Sequence, residues 1–360
     1  MTLFPNAHPL APHNRLGLDY RAVPQRAVVV PEGIIDAHTH TGNPLHTQTF
    51  VDAAHAYGIT KIWTMAGLEF VPDLQQRFPG LFEFIAVPAW SKIFREGATA
   101  DEAFLTDWMD RLDKFHALGS RLIKFHNAPF SIKRFGMNLM HPNALRVADH
   151  AYKLGYHFMS HVGDPKAWFF GSGKYAKPED NFGSFASQFD ALDRFLEKYP
   201  DRIHLGAHMG GSLEALDLLA KRLDKYPHYV IDTSATKWIV RAVAEAPALQ
   251  AVKDFILAYQ DRILFGSDLV VGEKYDFDHY ASRYWVHHKL WETDYRGQSP
   301  IEDPDAGKGF NPRSNTIDPA HADGTPHLTG LALPPAVLQK LYRTNALRWL
   351  PRADYNPLSS

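Results

Sequence analysis

The 360-residue chain contains no cysteine. That excludes disulfides, thiolate metal sites and a cysteine nucleophile, so any bound metal must sit on nitrogen and oxygen. Neither sign of charge is in excess. Lys and Arg total 38 against 40 Asp and Glu, for a net charge of −2. No long block of one sign occurs, which argues against a nucleic-acid partner and against a charged interaction tail. Apolar runs of membrane-spanning length are also lacking. The first 25 or so residues are rich in Pro, His and Asn, without the basic start and apolar stretch of a secretory signal. A cytoplasmic protein with no membrane partner is the default expectation. That N-terminal stretch is expected to wrap the surface or a subunit interface.

Histidine, by contrast, is plentiful, with 20 in the chain. Ile34-Ile35-Asp36-Ala37-His38-Thr39-His40 runs an apolar pair into two histidines one residue apart. On a strand, His38 and His40 share a face and suit one metal ion. With so many histidines, close pairs also arise by chance, and His287-His288 is one. The decision rests on finding further ligands downstream.

Strand-like segments fall at 34–40, 61–65, 82–87, 121–126, 156–161, 202–208, 229–233 and 262–268. Between them lie helix-like segments such as 49–57, 101–118, 142–154, 212–225 and 236–260, the last interrupted near Pro247. Eight alternating units within this length predict a parallel (β/α)8 barrel. The stretch after Asp268 is far longer than an ordinary loop. It is read as a helix over 275–291 followed by an excursion, serving as a lid or a subunit contact. The expected organisation is an N-terminal surface segment (1–33), a barrel (34–271), an insertion after strand eight (272–332), and a closing helix and tail (333–360).

Barrel active sites lie at the C-terminal ends of strands. Those ends carry His38 and His40, Lys124 and His126, His161, His208, then Asp232, Thr233 and Ser234, and finally Asp268. Histidines and an aspartate on one rim form a nitrogen-and-oxygen metal site. Any one of them alone reads as an ordinary satisfied polar group.

With His38-Thr39-His40 on strand one, His161 on five, His208 on six and Asp268 on eight, the chain resembles the amidohydrolase superfamily. The branch it is most similar to holds aminocarboxymuconate semialdehyde decarboxylase and its hydrolase relatives. Leu341-Tyr342-Arg343-Thr344-Asn345-Ala346-Leu347-Arg348-Trp349-Leu350 is similar to that branch's closing helix. The resemblance implies that His38, His40, His161 and Asp268 hold one divalent ion, zinc foremost, with another divalent metal as alternative. It implies an acid/base or substrate-polarising role for His208, with simple ligation as the rival, and proton transfer for Asp268. Binuclear members carry a lysine at the end of strand four, carboxylated to bridge two metals, and the resemblance offers Lys124 for that role. Lys124-Phe125-His126 also resembles mononuclear members, so one ion is the expectation and a two-metal site the alternative.

Around the rim, Asp36 is a candidate support for a ligand histidine or a satisfier of local backbone. Trp168, in Trp168-Phe169-Phe170, is a candidate pocket wall or part of a packed loop. Lys237, Arg241 and Arg283 are candidates to bind a substrate carboxylate, or to lie on solvated helix faces. The expected partner is a small molecule, anionic or planar, and a homo-oligomer is compatible with the two peripheral segments. The resulting expectation is a metal-dependent hydrolase using a zinc-activated water on an amide, lactone or C–C-linked carbonyl. The alternative is a nonoxidative decarboxylase of an aromatic or unsaturated acid, and a third reading is a barrel that binds metal without catalysis.

Overall fold

The segments rich in β-branched and aromatic residues become parallel strands in the computed structural model. It describes residues 9–23, 30–90, 100–171, 173–211, 213–244, 246–303, 310–311, 316–317 and 327–358. Parts of the 1–33 and 272–332 segments therefore lie outside the described residues. The strands are β1 (Ile34–His40), β2 (Ile59–Met65), β3 (Phe82–Ala86), β4 (Leu122–Asn127), β5 (His157–Val162), β6 (His204–Gly206), β7 (Tyr229–Asp232), β8 (Ile263–Leu264) and β9 (Leu269–Val270).

Neighbours pair in sequence order from β1 to β8, and β9 pairs with β1. β8 and β9 are thus two halves of the eighth barrel strand, the first bonded to β7 and the second to β1. Across the gap, Ala37 N–H donates to the Phe265 carbonyl and Asp268 N–H to the His38 carbonyl, each at 2.8 Å. The ring closes through this split strand as a (β/α)8 barrel. Gly266 sits in the gap, where a Cβ would meet His38 Cβ at 3.0 Å and Asp232 Cβ at 3.4 Å.

Helices α1 (Pro44–Ala56), α2 (Val71–Arg77), α3 (Glu102–Ala117), α4 (Pro129–Phe135), α5 (Pro142–Lys153), α6 (Asp190–Lys198), α7 (Leu216–Lys225), α8 (Thr236–Ala242) and α9 (Ala246–Ala258) connect the strands. Asp101 caps α3 by accepting from Phe104 N–H. α4 lies in a stretch not expected to be helical, although Pro129 opens it and Gly136, at φ +63°, ends it. Pro247 stands in the first turn of α9, so it starts a second helix instead of kinking one. α10 (Phe277–Glu292) follows the eighth strand, and Tyr57, Tyr280, Tyr284, Trp291 and the α1 residue Phe50 are buried around it.

The closing helix runs Pro335–Gln339, through a π turn at Lys340–Thr344, into Asn345–Trp349. Asn345 is 1% exposed, and its Nδ2 donates to the carbonyls of Gln260 (2.7 Å) and Ile263 (2.8 Å). This side chain ties the helix to the start of the eighth strand. Asn345→Ala orphans those two carbonyls and should cost about 1–3 kcal/mol. The check is a lower urea midpoint at unchanged m-value.

Candidate metal centre

The register of the strands brings their C-terminal polar residues to one rim. His38 and His40 do share a side: both Nε2 atoms approach the same oxygen, Asp268 Oδ1, at 3.3 and 3.2 Å. His208 Nδ1 lies 3.9 Å from Asp268 Oδ2. Ligand atoms of His38, His208 and Asp268 all lie within 4.8 Å of one another. His161 reaches the cluster through His208, its Nδ1 lying 3.2 Å from His208 Nε2. Donors about 2.1 Å from one tetrahedral ion sit roughly 3.4 Å apart, close to the distance from Asp268 Oδ1 to each of His38 and His40.

Two buried carboxylates set the tautomers. Asp232 is fully buried, and its Oδ2 lies 2.9 Å from His38 Nδ1. A carboxylate only accepts, so Nδ1 carries the proton and Nε2 presents a lone pair to Asp268. His161 Nε2 faces two acceptors, Asp164 Oδ1 and the Gly163 carbonyl, both at 3.0 Å, so its Nδ1 lone pair points into the cluster. Asp164 is held in turn by Tyr175 OH. The His38 lone pair and the Asp268 carboxylate oppose each other at 3.3 Å, and only a cation between them, proton or metal ion, relieves that contact. The donor set therefore fits a divalent ion of the nitrogen-and-oxygen class.

Asp232 also holds His208. Its Oδ1 accepts from His208 N–H and Ser234 N–H, each at 3.0 Å, and from Ser234 Oγ–H. This supports a left-handed backbone at His208 (φ 57°) and Met209 (φ 54°), a conformation costing about 1–3 kcal/mol for a residue with a side chain. The turn ends β6 at Gly206 and swings His208 toward the cluster. Asp268 is left-handed as well, at φ 56°.

Charges follow from this packing. Burial pushes the Asp232 carboxyl up, but the His38 imidazole and the hydrogen bonds from His38 and Ser234 outweigh it and hold the group below its ordinary value. Burial likewise opposes ionisation of Asp268, and the facing His208 and His38 rings overcome it. Burial and then the neighbouring His161 keep His208 neutral, well below the usual imidazole range. Burial and Lys124 push His38 down, while the Asp232 and Asp268 carboxylates prevail and raise it.

The other expected residues divide. Lys124 is 3% exposed, and burial lowers its amine to about 8 against the pull of Asp232 and Asp268. His126 stands beside the cluster, its ring 4.7 Å from that of His161 and its Nδ1 2.7 Å from Ser131 Oγ. Trp168 forms part of a wall: its ring lies 5.6 Å from Trp238, which in turn lies 5.2 Å from His208 and 6.0 Å from His161.

Asp36 does not support a ligand ring. Its carboxylate accepts from Ser267 N–H and Oγ–H, Tyr284 OH and the His38 backbone. The β1 register shifts between Asp36 and Thr39, so strict alternation does not carry from Asp36 to the histidines. Arg241 is not free for a substrate, because its Nε pairs with Asp303 Oδ2 at 2.7 Å. Arg283 makes no ion pair among the described residues. Its Nη1 donates instead to the His279 carbonyl and Ser282 Oγ. The strand-end pattern places Asp232 and Ser234 on the rim but assigns neither its supporting role. Asp232, the one charged residue on β7, was the available signal.

Residues 94–352 match the family model described as amidohydrolase, well over half of the chain. The chain belongs to the amidohydrolase family. No curated protein matches it. Similar solved structures include the lactonase from Listeria monocytogenes, at 12% identity over 88% of this chain and 93% of that one, with a TM-score of 0.46. 5-Carboxyvanillate decarboxylase from Novosphingobium aromaticivorans, solved with bound manganese, is 12% identical over 89% and 97%, at 0.46. 2,6-Dihydroxybenzoate decarboxylase from Rhizobium is 14% identical over 71% and 92%, at 0.41. The amidohydrolase thus carries a His-His-Asp cluster suited to a divalent ion. Among the described residues, no helix is long and apolar enough to cross a membrane.

If Asp232 aims His38, Asp232→Asn should weaken zinc affinity about 10–100-fold, and His38→Ala should reduce bound metal to background. Competition with a chelating dye measures both. Wild-type affinity in Asp232→Asn would remove its supporting role.

Proposed function

We propose that this amidohydrolase is a metal-dependent hydrolase acting on a small anionic or planar molecule with an amide, lactone or C–C-linked carbonyl. The observation carrying the proposal is the rim cluster of His38, His208 and Asp268, with His40 and His161 adjoining and buried carboxylates behind His38 and His161. In this reading His38, His40, His161 and Asp268 are the protein ligands. A single zinc ion is the cofactor the donor set suits best; bound there it supplies Lewis acidity and a water whose pKa falls to about 7.

The remaining chemistry belongs to the side chains. Asp268 is ionised at neutral pH, and its Oδ2, 3.9 Å from His208 Nδ1, takes the proton of the attacking water. Neutral His208, held by Ser234 and His161, steadies charge developing on the substrate oxygen. Trp238 and Trp168 wall the imidazole side and exclude water from it. The catalytic unit is the 34–271 barrel, carrying the 1–33, 272–332 and 333–360 segments as additions.

That aromatic wall also suits a planar acid, which favours nonoxidative decarboxylation as a second reading. There Asp268 or His208 would deliver a proton to carbon. Oxygen-18 from labelled water entering the product selects hydrolysis; carbon dioxide release without label selects the lyase. Asp268→Asn should keep the fold and lower turnover by about 10²–10⁴-fold, and wild-type turnover in that variant would refute its proton role. Elemental analysis should find about one ion per chain. A ratio near two would make Lys124 a carboxylated bridge, and none would support a non-enzymatic barrel.

A further inference from the structure

The rim holds a group of cations that the metal cluster does not use. A cleft of about 310 Å³ opens between the starts of α8 and α10, the N-terminal segment and the insertion. Lys237, Lys274, Arg283, Asp276 and Glu302 line it, with His13 and His279. Of the two acids, Asp276 is already engaged: it caps α10 through His279 N–H at 2.8 Å and lies 3.4 Å from His13 Nε2. Among the described residues, Lys237 has no hydrogen bond or ion pair, and Arg283 has no carboxylate partner.

Lys237 and Arg283 are half-buried, Lys274 is exposed, and the three press on their neighbours. Burial and then the Arg283 guanidinium lower the Lys237 amine. Burial, followed by Arg283, His13, Lys237 and Lys274, drives the His279 imidazole down to about 3. Asp303 and Glu302 pull the Lys237 amine back up without offsetting its burial, and an anion bound between the half-buried Lys237 and Arg283 relieves them further. Lys237 directly precedes Trp238, whose ring is 5.2 Å from that of His208. The cleft therefore adjoins the tryptophan wall of the metal cluster.

We propose that this cleft receives a second oxyanion of the substrate, so that the substrate is an elongated dianionic acid with one end at the metal cluster and the other on Lys237 and Arg283. The proposal rests on the metal-centre reading above. The anion chemistry is that of a carboxylate or phosphate, as part of the substrate or as a free ion.

The test is calorimetric titration of the zinc-supplemented full chain with linear diacids from adipate to sebacate and with their monomethyl esters. At least one diacid should bind about tenfold or more tightly than its ester. The preference should fall to about unity in Lys237→Gln and persist in Arg283→Lys, which keeps the charge. Thermal unfolding establishes that each variant is folded. A ratio near unity for every diacid in the wild type overturns the proposal, as does a preference surviving in Lys237→Gln. An intact preference in His38→Ala would mean that the cleft takes a free anion, and overturns the bridging substrate. A ratio near unity with metal bound removes the cleft proposal alone, whereas absence of bound metal after zinc addition removes the metal reading itself.

Discussion

One buried carboxylate holds the rim together. Asp232 fixes the His38 tautomer with one oxygen and the His208 backbone with the other. A charge so deep costs several kcal/mol in desolvation unless its acceptor sites are filled. Here His38 Nδ1, His208 N–H, Ser234 N–H and Ser234 Oγ–H fill them. The residues that satisfy Asp232 are those the site needs in place, so stability of the charge and orientation of the ligands are one requirement. Gly266 belongs to the same arrangement, since a Cβ there would press on His38 Cβ at 3.0 Å beside Asp232.

The wall above this layer is aromatic, and its flank is cationic. Trp238 joins the two, its ring against His208 and His161 and its neighbour Lys237 in the adjoining cleft. α8 therefore ties the chemistry of the imidazoles to the recognition of charge. Glu302 and His13 reach the same cleft from outside the barrel, so the peripheral segments bear on what the barrel meets.

The strands and their polar ends were legible because each is local. A run of apolar residues ending in His or Asp reveals its place from a few neighbours, as at His161 and Asp268. Less legible was whatever depends on a distant partner. Arg241 reads as available until Asp303, on the insertion, is seen against it. Asp36 reads as a neighbour of the histidines until the register shift in β1 and its bonds to Ser267 and Tyr284 appear. The left-handed turn at His208 has no glycine at that position to announce it, only Gly210-Gly211 just beyond. The break in the eighth strand hides within Phe265-Gly266-Ser267-Asp268, which reads as continuous strand.

That break makes the metal centre a clasp. β8 belongs to the seventh strand's side of the ring and β9 to the first strand's side, and Asp268 stands at the seam opposite His38. A chain complete only through β7 carries all four histidines of the cluster but no closed site. An ion gripped across the seam favours the closed ring by RT ln(1 + [L]/Kd), and parting the seam releases it. Occupancy of the centre would then add to the backbone bonds that already close the ring at Ala37 and Asp268. Loss of the ion would be felt first where the chain's last strand meets its first.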